Sequence, residues 1–113
     1  MPDTFEPFTS WDVQARGPLT LDAIRLLHTP SGNFRISPCS YAANTRFACA
    51  SRDGIVYVLK GSCRYEIQSR IWQLNAPCFT ALPEGRYIFS VDPHTPVDIV
   101  NVWELPVGYR HLR

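Results

Sequence analysis

The sequence has no surplus of charge of either sign. It contains 11 basic and 10 acidic residues, which give a net charge of +1. Proteins that bind nucleic acids or membrane surfaces usually carry a clear basic excess, so we expect neither partner here. Lysine is almost missing, since Lys60 is the only one and the other basic residues are arginines. Genomic base composition explains this bias most simply, although one or two arginines are candidates for binding a carboxylate or a phosphate.

Long apolar runs are also missing. No segment approaches the ~18 apolar residues that a membrane helix needs, and residues 1–10 lack the apolar stretch of a secretory signal. The cysteines are Cys39, Cys49, Cys63 and Cys78, and no two of them form a C-x-x-C pair. This spacing argues against a zinc ribbon or a redox motif. We therefore expect a cytoplasmic protein with free, mostly buried thiols.

The length and the apolar content predict one domain with a real core. The chain has 113 residues, of which 45% are apolar. Residues 1–18 read as an irregular arm that carries three large aromatics, Phe5, Phe8 and Trp11. Exposed aromatics are a liability, so the arm is expected either to pack on its own domain or to cross to a partner subunit. Residues 19–113 form the domain.

The first part of the domain permits two readings. Segments 22–28 and 33–37 flank residues 29–32, Thr-Pro-Ser-Gly, which have the composition of a turn. This arrangement predicts a β-hairpin. A short helix over residues 20–27 is the alternative, because the apolar residues there also recur with helical spacing.

The rest of the chain predicts short strands. Segment 55–59 is apolar on both faces, which is typical of a strand that is buried on both sides or lies between a core and an interface. Segment 63–67 alternates between an apolar face and a polar one. The other predicted strands are 46–50, 71–74, 78–82, 86–91 and 98–105. Many short strands punctuated by proline and glycine, with almost no helix signal, indicate an all-β sandwich or barrel.

Two segments resemble the sequence motifs of the cupin superfamily. Residues 54–61, Gly-Ile-Val-Tyr-Val-Leu-Lys-Gly, are similar to the end of the first motif. Residues 76–85, Ala-Pro-Cys-Phe-Thr-Ala-Leu-Pro-Glu-Gly, are similar to the second motif with its P-x-G turn. With the apolar segment 99–105, the resemblance spans roughly residues 24–105. It implies an all-β jelly-roll barrel, the double-stranded β-helix of the cupins, behind an irregular N-terminal arm.

The sequence departs from that family at the metal-binding positions. Aligned on the closing glycine of the first motif, the family's glutamate falls on Gly54 and its two histidines fall near residues 47–50, Phe-Ala-Cys-Ala. Aligned on the P-x-G turn, the histidine of the second motif falls on Ile88. First-row metals need imidazole and carboxylate donors, and Cys49 is the only soft ligand near these positions. These departures from the cupin motifs therefore predict a cupin-like barrel that holds no metal and no other cofactor.

The resemblance also indicates which side chains face the barrel interior. If Ile88 points inward as the family's histidine does, strand alternation places Arg86, Ser90 and Asp92 on the same side. An arginine at the mouth beside an apolar floor would suit an anionic head on a partly apolar ligand. The alternative is that Arg86 is simply exposed to solvent.

The last predicted strand offers a second set of candidates. Ile99, Asn101 and Trp103 share one face, and the latter two combine an amide with a flat aromatic ring. Core packing is the alternative role of Trp103. Tyr57 faces inward if the side of Ile55 does, although both faces of that strand are apolar. The candidate pocket residues are therefore Cys49, Tyr57, Arg86, Ile88, Ser90, Asp92, Asn101 and Trp103.

Three functions are compatible with such a barrel. We favour a metal-independent protein that binds an unidentified small molecule, with a ligand that is anionic or partly apolar. The alternative is a metal-independent enzyme of isomerase, epimerase or lyase type, because some cupin-like sugar epimerases use a histidine and a tyrosine as acid and base. No histidine lies on a predicted strand core here, so no catalytic residue is assigned. The third possibility is a structural or interaction protein. The resemblance also implies a homodimer, in which the arm could exchange between subunits.

Overall fold

The computed structural model describes residues 4–28 and 34–104, in which ten strands and two helices occur. The strands are β1 (Thr4–Phe5), β2 (Thr9–Ser10), β3 (Phe34–Tyr41), β4 (Arg46–Ser51), β5 (Gly54–Lys60), β6 (Ser62–Ile67), β7 (Arg70–Asn75), β8 (Cys78–Leu82), β9 (Gly85–Val91) and β10 (Val97–Glu104). The helices are α1 (Val13–Arg16) and α2 (Leu21–His28). The predicted turn at residues 29–32, the start of the segment 33–37 and the end of the segment 98–105 lie outside the described residues.

The strands form two five-stranded sheets. The first has the order β1-β7-β6-β9-β4 and the second the order β2-β8-β5-β10-β3. Only β1 runs parallel to its neighbour among the described strand pairs, and the others are antiparallel. Antiparallel strands that enclose an apolar core between two sheets form a β-sandwich of jelly-roll type. The all-β jelly roll predicted from the sequence is therefore confirmed.

Strand β5 separates two apolar clusters, as its composition predicts. Val56 and Val58 are fully buried in the core between the sheets. Ile55, Tyr57 and Leu59 point to the opposite side, where they meet a second cluster beneath helix α2. Successive side chains of a strand point to opposite faces, so a strand that is apolar throughout can contribute to both clusters.

Residues 21–28 form helix α2, so the predicted hairpin is wrong and the helical alternative is right. The Thr20 hydroxyl accepts a hydrogen bond from the backbone N–H of Ala23 at 3.2 Å, as a helix N-cap does. Ile24 is completely buried in the second cluster. The cap and the helical spacing of the apolar side chains outweigh the turn residues that follow. Neither helix among the described residues has the length or the apolar character to cross a membrane.

The N-terminal arm is more regular than its sequence suggests. Strand β1 pairs with β7, and strand β2 pairs with β8, so the arm adds one strand to each sheet. The Asp12 carboxylate then accepts a hydrogen bond from the Ala15 N–H at 3.1 Å and caps helix α1. Of the three aromatics, only Trp11 is buried, whereas Phe5 and Phe8 stay exposed. Edge pairing and capping order these three short elements, and the residues between them are irregular as predicted.

Candidate functional site

A cavity of about 300 Å³ lies between the two sheets, at the end of the barrel that carries the β4–β5 turn. Register shows which residues meet there. Asn101 of β10 lies between Ser37 of β3 and Val56 of β5, and directly opposite residues of paired strands point to the same face. Trp103, two residues further along β10, therefore lies on the same face and closer to the mouth.

Four aromatic rings form one end of this cavity, which we call the aromatic floor: Tyr41, Phe47, Tyr65 and Phe89. Phe89 is paired with Phe47 on one side and with Tyr65 on the other. The ring centroids of Phe89 lie 5.2 Å from Phe47, 5.0 Å from Tyr65 and 5.1 Å from Tyr41. Tilted rings at these separations pack favourably, so the floor is rigid and apolar.

Polar groups form the opposite end, which we call the polar rim: Ser37, Ser51, Arg52, Asn101 and Trp103. Ser51 lies four residues along β4 from Phe47, which separates the rim from the floor by roughly 13 Å of strand. Arg52, in the β4–β5 turn, is exposed and is the charged residue of the lining. No aspartate or glutamate lines the cavity among the described residues. The cavity is thus apolar at one end and polar at the other.

The indole N–H of Trp103 is buried and donates to no acceptor. Its nitrogen is the only buried side-chain nitrogen or oxygen without a hydrogen-bond partner in residues 4–28 and 34–104. Gly54 lets β10 approach β5 closely at this point, because a Cβ at that position would meet the Val102 carbonyl oxygen at 2.5 Å and the Trp103 Cβ at 3.0 Å. Buried indole N–H groups normally find a partner, so this unpaired one, on a residue that lines the cavity, is a candidate donor to a bound acceptor.

The titratable groups inside the barrel are kept neutral. Burial raises the pKa of the Cys49 thiol, and it raises the pKa of Cys63 to about 12, with a smaller contribution from the neighbouring Cys78. Burial is also the main cause that raises the pKa of the Tyr41 and Tyr65 hydroxyls. A thiol or phenol in this state is a poor nucleophile and a poor base near neutral pH.

The lining of the cavity does not suit a metal ion. The described residues contain no cluster of three or more His, Cys, Asp or Glu side chains that could hold one. The segment 47–50, where the first cupin motif has its two histidines, contributes Phe47, Cys49 and Ala50 to the lining, and Gly54 lines the cavity at the position of the glutamate. One thiol with a raised pKa is no substitute for a cage of imidazole and carboxylate donors.

The predicted orientation of β9 is wrong. Tyr87, Phe89 and Val91 are buried in the core between the sheets, so Ile88 lies on the outer face, where it is paired with Ala48 and Glu66. Its neighbours Arg86 and Ser90 share that outer face and line no cavity. The alternation of the segment itself, with apolar residues at 87, 89 and 91, indicates the correct face. Alignment on the P-x-G turn therefore shifts the predicted inward-facing positions of β9 by one residue.

Two further candidates also lie outside the cavity. Asp92 lies in the turn after β9, where its carboxylate accepts a hydrogen bond from the backbone N–H of His94 at 2.7 Å. Tyr57 belongs to the cluster beneath helix α2, where its hydroxyl and the Nε2 of His28 are hydrogen bonded at 2.8 Å. Of the eight sequence candidates, the structure brings three together in the cavity: Cys49, Asn101 and Trp103.

Sequence reasoning missed most of the lining. The rim serines and Arg52 carry no pattern, because a single serine or a turn arginine is common on any surface. The aromatic floor did leave a signal. Tyr65 lies on the apolar face of an alternating strand, and Phe89 lies on the apolar face of another.

Comparison with known proteins supports the fold through structure alone. No protein-family model matches the sequence, and no curated protein matches it. A solved structure of a cupin protein from Bacteroides fragilis matches with a TM-score of 0.54 and 15% sequence identity, over 74% of this chain and 75% of that chain. The chain has a cupin fold. At 15% identity the cupin neighbour shows the fold alone, so function has to be inferred from the residues of the cavity.

Proposed function

We propose that the protein binds a small, partly apolar molecule in the cavity of its cupin barrel without the help of a metal ion. The observation that carries this proposal is the polarity of the cavity, with the aromatic floor at one end and the polar rim at the other. Ligand sites are typically apolar pockets with a few placed polar groups, and the volume of about 300 Å³ is at the small end of their range.

The cavity favours binding over catalysis. An acid–base enzyme needs a titratable pair within hydrogen-bond reach of its substrate. Cys49 makes no hydrogen bond to a tyrosine among the described residues, and Asp92 lies in a turn away from the cavity. The one histidine–tyrosine pair in the described chain, His28 with Tyr57, lies on the other side of the second sheet.

A ligand screen with a blocked variant tests the binding proposal. Sugars, organic acids and aromatic acids would be added separately to the protein, and the melting temperature would be recorded. A ligand present at 100 times its Kd stabilises the folded state by about 2.7 kcal/mol, which raises the melting temperature by roughly 10 °C for a domain of this size. Ser37→Phe places a ring in the cavity, whereas Ser90→Phe places one on the outer face of β9. We expect the first variant to lose the shift and the second to keep it. An equal shift in both variants would place the ligand elsewhere.

Metal independence needs its own measurement. Protein purified without a chelator would be analysed for iron, manganese, nickel and zinc by mass spectrometry. We expect less than stoichiometric metal, because the described residues of the lining supply a single thiol and neither imidazole nor carboxylate. Stoichiometric metal that is retained on gel filtration would overturn this part of the proposal.

Dimerisation and location also remain proposals. We propose a homodimer on the strength of the resemblance to cupins, and light scattering of the full chain and of a variant without residues 1–10 tests it. A monomeric full-length chain would contradict the dimer. All four cysteines lie in the described residues and none forms a disulfide, which agrees with a reducing compartment such as the cytoplasm.

A further inference from the structure

Two of the five polar residues of the rim can only donate hydrogen bonds. These donors are the Trp103 indole N–H and the Arg52 guanidinium, while Ser37, Ser51 and Asn101 can both donate and accept. A carboxylate side chain would offer acceptors alone, and none lines the cavity in the described part of the chain. A molecule that pairs with these two donors must therefore bring acceptors.

The buried indole N–H makes this requirement specific. An unpaired buried donor costs free energy, and that cost is removed when a ligand acceptor arrives within about 3 Å. Gly54 lets the backbone of β10 approach β5 closely at Val102 and Trp103, so the position of the indole depends on that close contact. A hydrogen bond to a charged acceptor is roughly twice as strong as one to a neutral acceptor, so an anion gains most from this donor.

The aromatic floor limits the kind of molecule that can carry the anionic group. A sugar needs hydrogen-bond partners around its whole ring, but the floor offers rings and only the two hydroxyls of Tyr41 and Tyr65. A phosphate dianion is usually held by several cations or a row of backbone N–H groups, whereas this rim has Arg52 as its cation. A ligand with one negative charge and a compact apolar body would match both the polar rim and the aromatic floor.

We propose that the ligand is a small carboxylic acid with an aromatic or cyclic apolar body. Its carboxylate points to the rim and accepts hydrogen bonds from the Trp103 indole N–H and from Arg52, while its ring packs on Phe47, Phe89 and their neighbours in the floor. This inference rests on the proposed function, because it assigns the chemical class of the ligand to the same cavity.

A panel of matched compounds tests the class. Benzoate, phenylacetate and cinnamate would be titrated into 15N-labelled protein, in parallel with their methyl esters, their primary amides and inorganic phosphate. The Nε1–H signal of Trp103 is identified by its loss in Trp103→Phe. We expect at least one carboxylate to bind and to move this signal downfield, and we expect its ester to bind at least tenfold more weakly.

Two tryptophan variants show whether the indole N–H anchors the ligand. Trp103→Phe keeps a ring and removes the donor, so the affinity for the carboxylate should fall about tenfold to a hundredfold, while that for the ester, whose carbonyl is a weaker acceptor, should fall clearly less. Trp11→Phe is the matched control, because its indole N–H donates to the Gly17 carbonyl far from the cavity lining. That variant should bind the carboxylate as the unaltered protein does.

The possible failures are distinguishable. Esters or amides that bind as tightly as the acids would overturn the carboxylate class and leave the binding function intact. Phosphate that binds while the acids do not would overturn it as well. If no member of the panel moves a signal of the cavity, the carboxylate class is wrong, and the wider screen with sugars and other organic acids decides whether the proposed function fails with it.

Discussion

Two tryptophans of this protein occupy opposite sides of the second sheet and differ in one hydrogen bond. Trp11 lies in the cluster beneath helix α2, where its indole N–H donates to the Gly17 carbonyl at 2.9 Å. Its ring meets Tyr57 and Phe79 edge-on and carries the Arg16 guanidinium 4.8 Å above it. Trp103 lines the cavity, and its indole N–H has no hydrogen-bond partner among the residues that the structure describes.

The difference separates a structural role from a binding role. A buried polar group that is satisfied within the chain stabilises the fold, whereas one that is left open costs stability and gains from a partner that arrives later. The Trp11 indole N–H is already hydrogen bonded within the arm and cannot bind another acceptor. The Trp103 indole N–H has no acceptor among the described residues and can bind one from a ligand. The predictions below test this contrast, beginning with the largest expected effect.

Removal of each ring should have unequal effects on stability. Trp11→Ala should reduce the free energy of unfolding by about 3–5 kcal/mol, as the loss of a fully packed aromatic ring does. Trp103→Ala should cost clearly less, because Trp103 is only half-buried and lines a cavity, whereas Trp11 is buried. Urea unfolding of both variants gives the two values. Equal losses would mean that Trp103 is a core residue like Trp11.

A methyl group at Gly54 should disturb Trp103 and leave Trp11 in place. Gly54→Ala puts a Cβ 2.5 Å from the Val102 carbonyl oxygen, so β10 has to shift. We expect a loss of about 1–3 kcal/mol, the usual cost of overpacking. Exposed Ala81 of the adjacent strand serves as the control, since Ala81→Ser should change stability by less than about 0.5 kcal/mol. Unfolding curves check the energies, and the indole signals show which tryptophan has moved.

Replacement of each indole by a phenyl ring isolates the hydrogen bond. Trp11→Phe leaves the Gly17 carbonyl without its donor, whereas Trp103→Phe breaks no hydrogen bond of the ligand-free protein. Beyond the loss of ring volume common to both, Trp11→Phe should therefore cost about 1 kcal/mol more. The difference between two urea unfolding series measures it. A larger cost at Trp103 would show that its N–H is satisfied in solution.

The smallest expected effect is the pH dependence of stability that arises from His28, which lies on the same side of the second sheet as Trp11. Burial lowers the pKa of His28, so the folded state takes up a proton less readily than the unfolded chain, whose histidines titrate near about 6.5. Stability should therefore decrease as the pH falls through and below that value. His28→Gln should flatten this dependence in melting curves between pH 7.5 and 5.5. His94→Gln, at an exposed turn, is the control, and an equal flattening there would contradict the assignment.

The sequence was informative wherever apolar pattern alone decides the structure. The double apolar character of β5 anticipated two clusters, and the alternation of β10 correctly placed Ile99, Asn101 and Trp103 on one face. In both cases burial follows from side-chain period, which is visible in a single strand. The jelly roll followed from the number of such strands and from the two motif-like segments.

The errors arose where distant residues decide the outcome. The hairpin was predicted from turn residues that lie next to helix α2, but Ile24 is buried by strands far along the chain. The orientation of β9 was inferred from a turn and placed Ile88 inside, whereas pairing with β4 and β6 puts it outside. Ser37 and Arg52 line the cavity only because the two sheets pack together there, and the local sequence around each residue contains no pattern that predicts this packing.

The pairing of the arm has a consequence for the order in which the protein folds. Thr4 pairs with Arg70, and Thr9 pairs with Phe79, so the first strands of the chain depend on partners from its second half. Loops of that length are slow to close, and non-local strand pairing delays folding. On the ribosome the arm emerges before β7 and β8 and has no strand to pair with until both have left the exit tunnel. Strands β1 and β2 are thus made before their partners and join the sheets late.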